Sequence, residues 1–333
     1  MTDPITTQEP ETGAAPVSGA RQVWRRLRAR RSALAAGAVL GLLVLLALAA
    51  PLLAALEGQD PNTYHDALVD SARGGVPFGD LGGISAEHWL GVEPGTGRDM
   101  FVRLLYGARV SLLVALGATL VQILIGLGVG LAAALGNRFV ESALGHVTDV
   151  MVAMPLLVFA IALMAVVPAD FPRPVLLVIA IGLLQWGGMA RLVRAQTLSL
   201  KKLDFVSAAR LTGGSTWRVA RRELLPSLAG PVITYAAVLL PTNIVLESSM
   251  SFLGVGVKAP TPSWGHMLSS ATTWFRADPM YVLLPALMLF LTTLAFTVLG
   301  DGVRTALDPR AASRLSVGTK RRTARTSSAR GAA

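Results

Sequence analysis

Residues 207–226 read SAARLTGGSTWRVARRELLP, the most polar long interval between two apolar runs of the chain. The spacing predicts helix, turn, helix. Before Gly213-Gly214, Leu203, Val206 and Ala209 or Arg210 recur at helical intervals, and after it Trp217, Ala220 and Leu224 do the same. Gly213 can take a left-handed conformation and end the first helix, and Ser215 can cap the second. Arg218, Arg221 and Arg222 share the opposite face of the second helix, which gives an amphipathic helix suited to a membrane surface. On these residues alone, the stretch fits a basic interfacial helix with no partner as well as an element that docks one.

Composition decides what surrounds it. Of 333 residues, 53% are hydrophobic and 15% charged, with mean hydropathy +0.56. So few charges do not clothe a soluble domain of this size, and the chain reads as a polytopic membrane protein. A net charge of +10 in a soluble protein would point to nucleic acid. Here the basic residues lie between and outside the apolar runs, so membrane lipid headgroups are the expected counter-charge and nucleic acid is not. The absence of cysteine excludes disulfides, thiol catalysis and Cys-ligated metals. No Gly is followed by Lys, so the phosphate-binding G-x-x-x-x-G-K-[ST] loop is missing. His65, His88, His146 and His266 are scattered without metal-ligand spacing, and no catalytic constellation appears.

Working outward, residues 1–20 lack apolar periodicity and suit a disordered tail; six arginines follow between Arg21 and Arg31. The 25 uncharged residues between Arg31 and Glu57 are long enough to cross a hydrocarbon core of about 30 Å. Ala47-Leu48-Ala49 imitates a signal-peptidase site, but the run is much longer than the ~7–15 apolar residues of a signal peptide. Residues 57–109 carry eight acids against four basic residues and suit an external loop. Further uncharged runs of 28 residues after Arg109, 20 after Asp149, 17 after Arg173 and 22 after Asp278 supply spans two, three, four and six. The fifth starts within 224–246 and is interrupted by Pro231 and Pro241. In the second, Gly126, Gly128 and Gly130 predict a face smooth enough for close helix approach. With six spans both termini share a side. Lys and Arg number 23 on that side and 7 on the other, which places both tails and the 207–226 loop in the cytoplasm.

The quoted stretch resembles the E-A-A-x3-G-x9-I-x-L-P loop of bacterial ABC importer permeases, the cytoplasmic loop whose short helix enters a groove of the ATPase subunit. Here Ser207 stands for the leading Glu and Glu223 for the Ile. The resemblance implies that Ser207, Ala208, Ala209, Gly213, Arg218, Leu225 and Pro226 couple the chain to ATPase subunits. His88-Trp89-Leu90-Gly91, Gly97-Arg98-Asp99 and Arg103 to Arg109 resemble the H-W-L-G-T-D-x-x-G-R-D-x-x-S-R-L-x-Y-G-A-R run of the peptide-type permeases. Read as residues, Gly97, Arg98 and Asp99 open a short helix beside the next span, with structural rather than ligand-binding charges. Glu247 to Val257 followed by Pro260-Thr261-Pro262-Ser263-Trp264-Gly265 resembles the E-x-x-L-S-F-L-G-L-G-x-x-P-P-T-P-S-W-G run of the C-type subunit of dipeptide and oligopeptide importers. Asp301 to Arg310 matches the same subunits' closing D-G-L-R-D-x-L-D-P-R.

A lone carboxylate at the end of a span is costly and needs a partner or water. Glu247 therefore either lines the substrate path, caps a neighbouring helix, or pairs with an arginine such as Arg98. Ser251, Phe252, Gly254 and Gly256 belong to the same pore or external-gate candidate, in a re-entrant or tightly turned loop.

The resulting expectation is an all-α polytopic membrane protein of six transmembrane helices, with the type I ABC importer permease fold and a cytoplasmic coupling helix. Its parts are a basic tail (1–31), a first transmembrane helix (32–56), an external loop with a short helix (57–109), a five-helix core (110–302) holding the coupling loop 201–227, and a basic tail (303–333). The resemblance implies a bacterial inner-membrane permease subunit that carries dipeptides or oligopeptides by alternating access. Its implied partners are a B-type second permease subunit, two cytoplasmic ABC ATPases that bind the ATP and Mg, and an external substrate-binding protein. The chain itself is expected to hold no cofactor or metal and to be no enzyme. Nickel chelates, glutathione or another peptide-like solute are the alternative cargo, and a non-transporting scaffold is the rival from another class.

Overall fold

The computed structural model describes residues 20–168 and 170–307. The expected tails at 1–19 and 308–333, with Asp308-Pro309-Arg310, lie outside the described residues. A basic helix, α1 (Ala20–Arg28), leads into α2 (Arg31–Leu48) and α3 (Ala50–Glu57). These two divide the expected first span at Ala49, just before Pro51, which has no N–H to give the carbonyl four residues back.

The 57–99 segment holds a small antiparallel ribbon, β1 (Val69–Asp70) with β2 (Val76–Pro77), Val69 opposite Pro77. The fold is therefore helical apart from this one pair of strands among the described residues. The expected short helix at Gly97-Arg98-Asp99 is absent as a separate element. Asp99 instead caps α4 (Met100–Leu135), a single helix of 36 residues. At about 1.5 Å per residue α4 is about 54 Å long, well beyond a ~30 Å hydrocarbon core. It begins before Arg109 because Arg103, inside its first turns, is buried and paired and so does not end the helix.

The third expected span is broken. α5 (Arg138–Ala153) and α6 (Leu156–Val166) meet at 87°. Pro155 drives Met154 out of the helical region, to φ −69° and ψ 127°, as the residue before a proline requires. α7 (Arg173–Leu184) and α8 (Gly187–Leu200) form the fourth, bent by 42°. It runs past Arg191 because Arg191 and Arg194 pair with Asp149 and Glu141 on α5.

α9 (Asp204–Leu211) and α10 (Thr216–Val219) follow, and a π turn at Ala220–Leu224 joins α10 to α11 (Leu225–Phe252). Pro231 and Pro241 lie within α11 without dividing it, contrary to the expected interruption. After α12 (Trp264–Ala271), α13 (Pro279–Leu307) closes the described chain, so residues 303–307 continue the last helix. Among the described residues, four helical stretches are long and apolar enough to cross a membrane, or up to six if each bent pair counts as one span.

α4 is the axis of the bundle. Met100, Leu104, Ala108 and Leu112 pack with Ile244 of α11, Trp264 of α12 and Tyr281 of α13, while Val114 and Ala118 pack on Leu177 and Ile181 of α7. Lower down, Gly126 and Gly130 face α8, where a Cβ on Gly130 would come within 2.7 Å of the Ala190 carbonyl oxygen. Gly128 meets nothing within 4 Å. The smooth face therefore follows the four-residue helical repeat and not the alternation read from the sequence.

Candidate functional site

The quoted stretch folds into a corner at one end of the bundle. α9 stops at Gly213, which takes φ +83°, the left-handed conformation that glycine adopts without a Cβ penalty. The Ser215 hydroxyl then accepts a 3.4 Å hydrogen bond from the Arg218 amide, capping α10. Val206, Val219 and Leu224 form a small core beneath, with Ala209 partly buried against it. Gly214 is tight, since a Cβ there would strike the Ala209 carbonyl. Pro226 occupies the first turn of α11 and Leu225 opens it.

The exposed side of the corner is apolar and basic together. Leu211 and Trp217 are 89% and 72% exposed, and Ser207, Ala208, Arg210, Arg218, Arg221 and Arg222 are also exposed. Trp217 does not share the buried face with Ala220 and Leu224 as its spacing suggested, and Leu203 is likewise outside. The π turn after α10 breaks the 3.6-residue register on which that reading depended.

At the opposite end of α4, Gly97, Arg98 and Asp99 stand in a buried ion cluster. Asp99 accepts the Val102 amide with one oxygen and meets His88 Nδ1 with the other, both at 2.8 Å. Glu93 takes Arg98 Nε at 2.9 Å on Oε2 and Arg103 Nε at 2.6 Å on Oε1. Arg103 also donates to the carbonyls of Pro61 and Pro260, at 2.8 and 3.3 Å. Tyr64 faces the Arg98 guanidinium at 5.3 Å. Gly97 has φ +65° and leaves no room for a Cβ beside His65. Burial, and next the positive charge of Arg103, lower the pKa of the nearby His266 imidazole and favour its neutral form. Arg98 and Asp99 thus find partners within the protein, Arg98 on Glu93 and Asp99 on His88 and the Val102 amide. The keystones Glu93 and Arg103 escaped the sequence reading, although both lie inside the quoted motif.

Glu247 is completely buried in α11, and among the described residues its hydrogen-bond partners are hydroxyls, not a cation. Arg98 is engaged by Glu93, so the pairing of Glu247 with Arg98 does not occur. Hydroxyls replace it: Ser251 and Ser248 donate to the two carboxylate oxygens at 2.9 and 3.2 Å, and Ser111 of α4 and Ser263 face the same group. Ser251 Oγ in turn accepts the Val257 amide at 3.1 Å, and a Cβ on Gly256 would press into Ser251. The 253–263 loop is thus tightly turned back onto the end of α11, with the Val255 and Gly256 amides both reaching the Met250 carbonyl. Phe252 and Gly254 remain exposed on its outside. Trp264 beyond it donates Nε1–H to the Leu104 carbonyl at 3.1 Å.

A fourth polar group was not singled out in the sequence. Gln122 of α4 and Asn243 of α11 exchange reciprocal amide hydrogen bonds at 3.1 and 3.0 Å, and Asn243 also donates to Thr119 at 2.8 Å. All three are buried, and the exchange clamps the two helices. Strong dipoles inside otherwise apolar runs were the available signal. Among the described residues no group of acidic or histidine side chains is arranged to hold a metal ion.

Comparison with known proteins identifies the family. Residues 122–313 match the family described as binding-protein-dependent transport system inner membrane component, and residues 18–70 match the N-terminal TM domain of oligopeptide transport permease C. The chain is 38% identical to the oligopeptide transport system permease protein OppC of Escherichia coli K12, over 87% of this chain and 92% of that protein. It is 34% identical to the glutathione transport system permease protein GsiD of Pectobacterium atrosepticum, over 87% and 91% of the two chains. It is 31% identical to the dipeptide transport system permease protein DppC of Alkalihalophilus pseudofirmus, over 93% and 96%. The chain belongs to the binding-protein-dependent transport system inner membrane component family, as a multi-pass permease subunit of a kind that binds no cofactor and is not itself an ATPase.

Proposed function

We propose that this chain is the C-type permease subunit of an ATP-driven importer of dipeptides or oligopeptides, forms half of the translocation pore, and receives the ATPase stroke through the 207–226 corner. The exposed Leu211 and Trp217 on a glycine turn carry this reading, because a rigid apolar tip needs a groove to cover it. Membership of the family supplies the ATPase and binding-protein partners. A B-type permease supplies the other half of the pore. Movement of the corner then rocks the two permease halves between outward and inward access. Glu247 serves as a structural carboxylate behind the path, since four serines surround it and no open wall does. Peptide cargo is favoured because relatives named for oligopeptides, dipeptides and glutathione all handle peptide-like solutes. Proteoliposomes holding this chain, the second permease and both ATPases should take up peptide when given ATP and loaded binding protein. The same vesicles with this chain alone should not. Robust uptake by the chain alone would overturn the reading.

The orientation belongs to the same proposal. A corner that meets ATPases is cytoplasmic, and the 23 to 7 basic asymmetry puts both termini on that side. A reporter active only outside the membrane should work after Gly79 and stay silent after Lys202. The reverse pattern would invert the molecule and remove the corner from any ATPase.

A further inference from the structure

We propose that Arg191 and Arg194 of α8, with Asp149 and Glu141 of α5, form the link that carries movement of the docking corner to the bent span α5–α6. The inference rests on the coupling role given to that corner above. The two helices run antiparallel along one seam. Gly187 lies against Thr148 and Val152, Arg191 donates to Asp149 at 2.7 Å, and Arg194 donates to Glu141 one turn further on. α8 continues through residues 201–203 into α9, so with α11 it is one of the two helices to which the corner is directly joined.

α8 is packed along its other side. Gly126 and Gly130 bring it against α4, and Lys201 donates to the Ala134 carbonyl at 2.7 Å. α5 is not held by packing in this way: Thr148 is its one buried residue. Beyond the 87° bend, α6 likewise buries Ala160 alone. The span with the least core packing is therefore tied to the lever by a glycine contact and two ion pairs. The four side chains are 40–69% exposed, and pairs this exposed add little to stability. What they fix is where α5 sits relative to α8. The other titratable groups of α5 are Arg138 and His146, and His146 is turned to its own helix carbonyl at Ser142.

The chain has no cysteine, so cysteines introduced at Val147 on α5 and Leu124 on α4, both exposed, take spin labels uniquely. In the intact assembly, trapping with ATP and vanadate should shift the Val147–Leu124 distance. Arg191→Glu with Arg194→Glu should remove that shift while the ATPases stay bound and still hydrolyse ATP. Adding Glu141→Arg and Asp149→Arg, which restores both pairs with their charges exchanged, should restore the shift. A shift that persists in the reversed variant, a wild-type assembly without one, or an abundant exchanged variant that fails to regain it overturns the link. Failure of the coupling reading itself is distinct, because the ATPases would then be missing from the purified wild-type assembly.

Discussion

Glu93→Gln is expected to cost the folded chain about 3–5 kcal/mol, the usual penalty for removing one partner of a buried ion pair. The carboxylate is 1% exposed and meets two guanidiniums, Arg98 and Arg103, that are 6% and 1% exposed. Glutamine keeps the volume and removes the anion between them. Two buried cations are then left facing each other, each favoured by water that cannot reach it. The damage spreads because Arg103 also holds the Pro61 and Pro260 carbonyls, so the 57–99 cap and the 253–263 loop both lose their anchor on α4. Thermal unfolding of the purified assembly and its abundance in the membrane should both fall sharply. Glu93→Asp keeps the charge but is shorter by a methylene, reaches the two arginines less well, and should fall between. Wild-type unfolding temperature and abundance for Glu93→Gln would show that the cluster is incidental to the fold.

Local features were legible and long-range ones were not. Gly213 as a left-handed stop and Ser215 as a cap were readable because each depends on its own few neighbours. Apolar runs located the spans for the same reason. Charges proved poor span limits, since Arg103 and Arg191 lie inside helices and are neutralised by Glu93 and Asp149, the latter 42 residues away in the chain. No short window of sequence contains a pair as far apart as Arg191 and Asp149. Pro155 lies near the start of the third apolar run, but run length alone hid the bend it causes. The surroundings of Glu247 were out of reach as well: Ser248 and Ser251 are neighbours, while Ser111 comes from a different span. The Trp217 assignment failed because helical spacing was carried through a π turn that the sequence does not announce.

Ala209→Arg and Gly213→Val should each leave the chain inserted and abundant yet unable to work with its ATPases. Neither touches a span or reverses the positive-inside bias. A Cβ on Gly213 would meet nothing within 4 Å, so valine there collides with nothing and acts through the backbone alone. At φ +83° a β-branched residue costs about 1–2 kcal/mol, enough to lower the population of the docking conformation roughly 5- to 30-fold. Ala209 is different, being partly buried on the Val206, Val219 and Leu224 core with Gly214 pressed on its carbonyl. Arginine at that position must push α9 away from α10 or turn outward, and either result widens the tip that carries Leu211 and Trp217. The ATPases should then fail to co-purify, or should co-purify without stimulation of hydrolysis by loaded binding protein. Ser207 makes no hydrogen bond through its side chain among the described residues and is exposed, so Ser207→Ala should be mild and Ser207→Glu tolerated: shape governs this corner more than charge. Normal uptake by both Ala209→Arg and Gly213→Val, at wild-type abundance, would mean that the ATPases dock elsewhere and that the 207–226 stretch is only an interfacial helix.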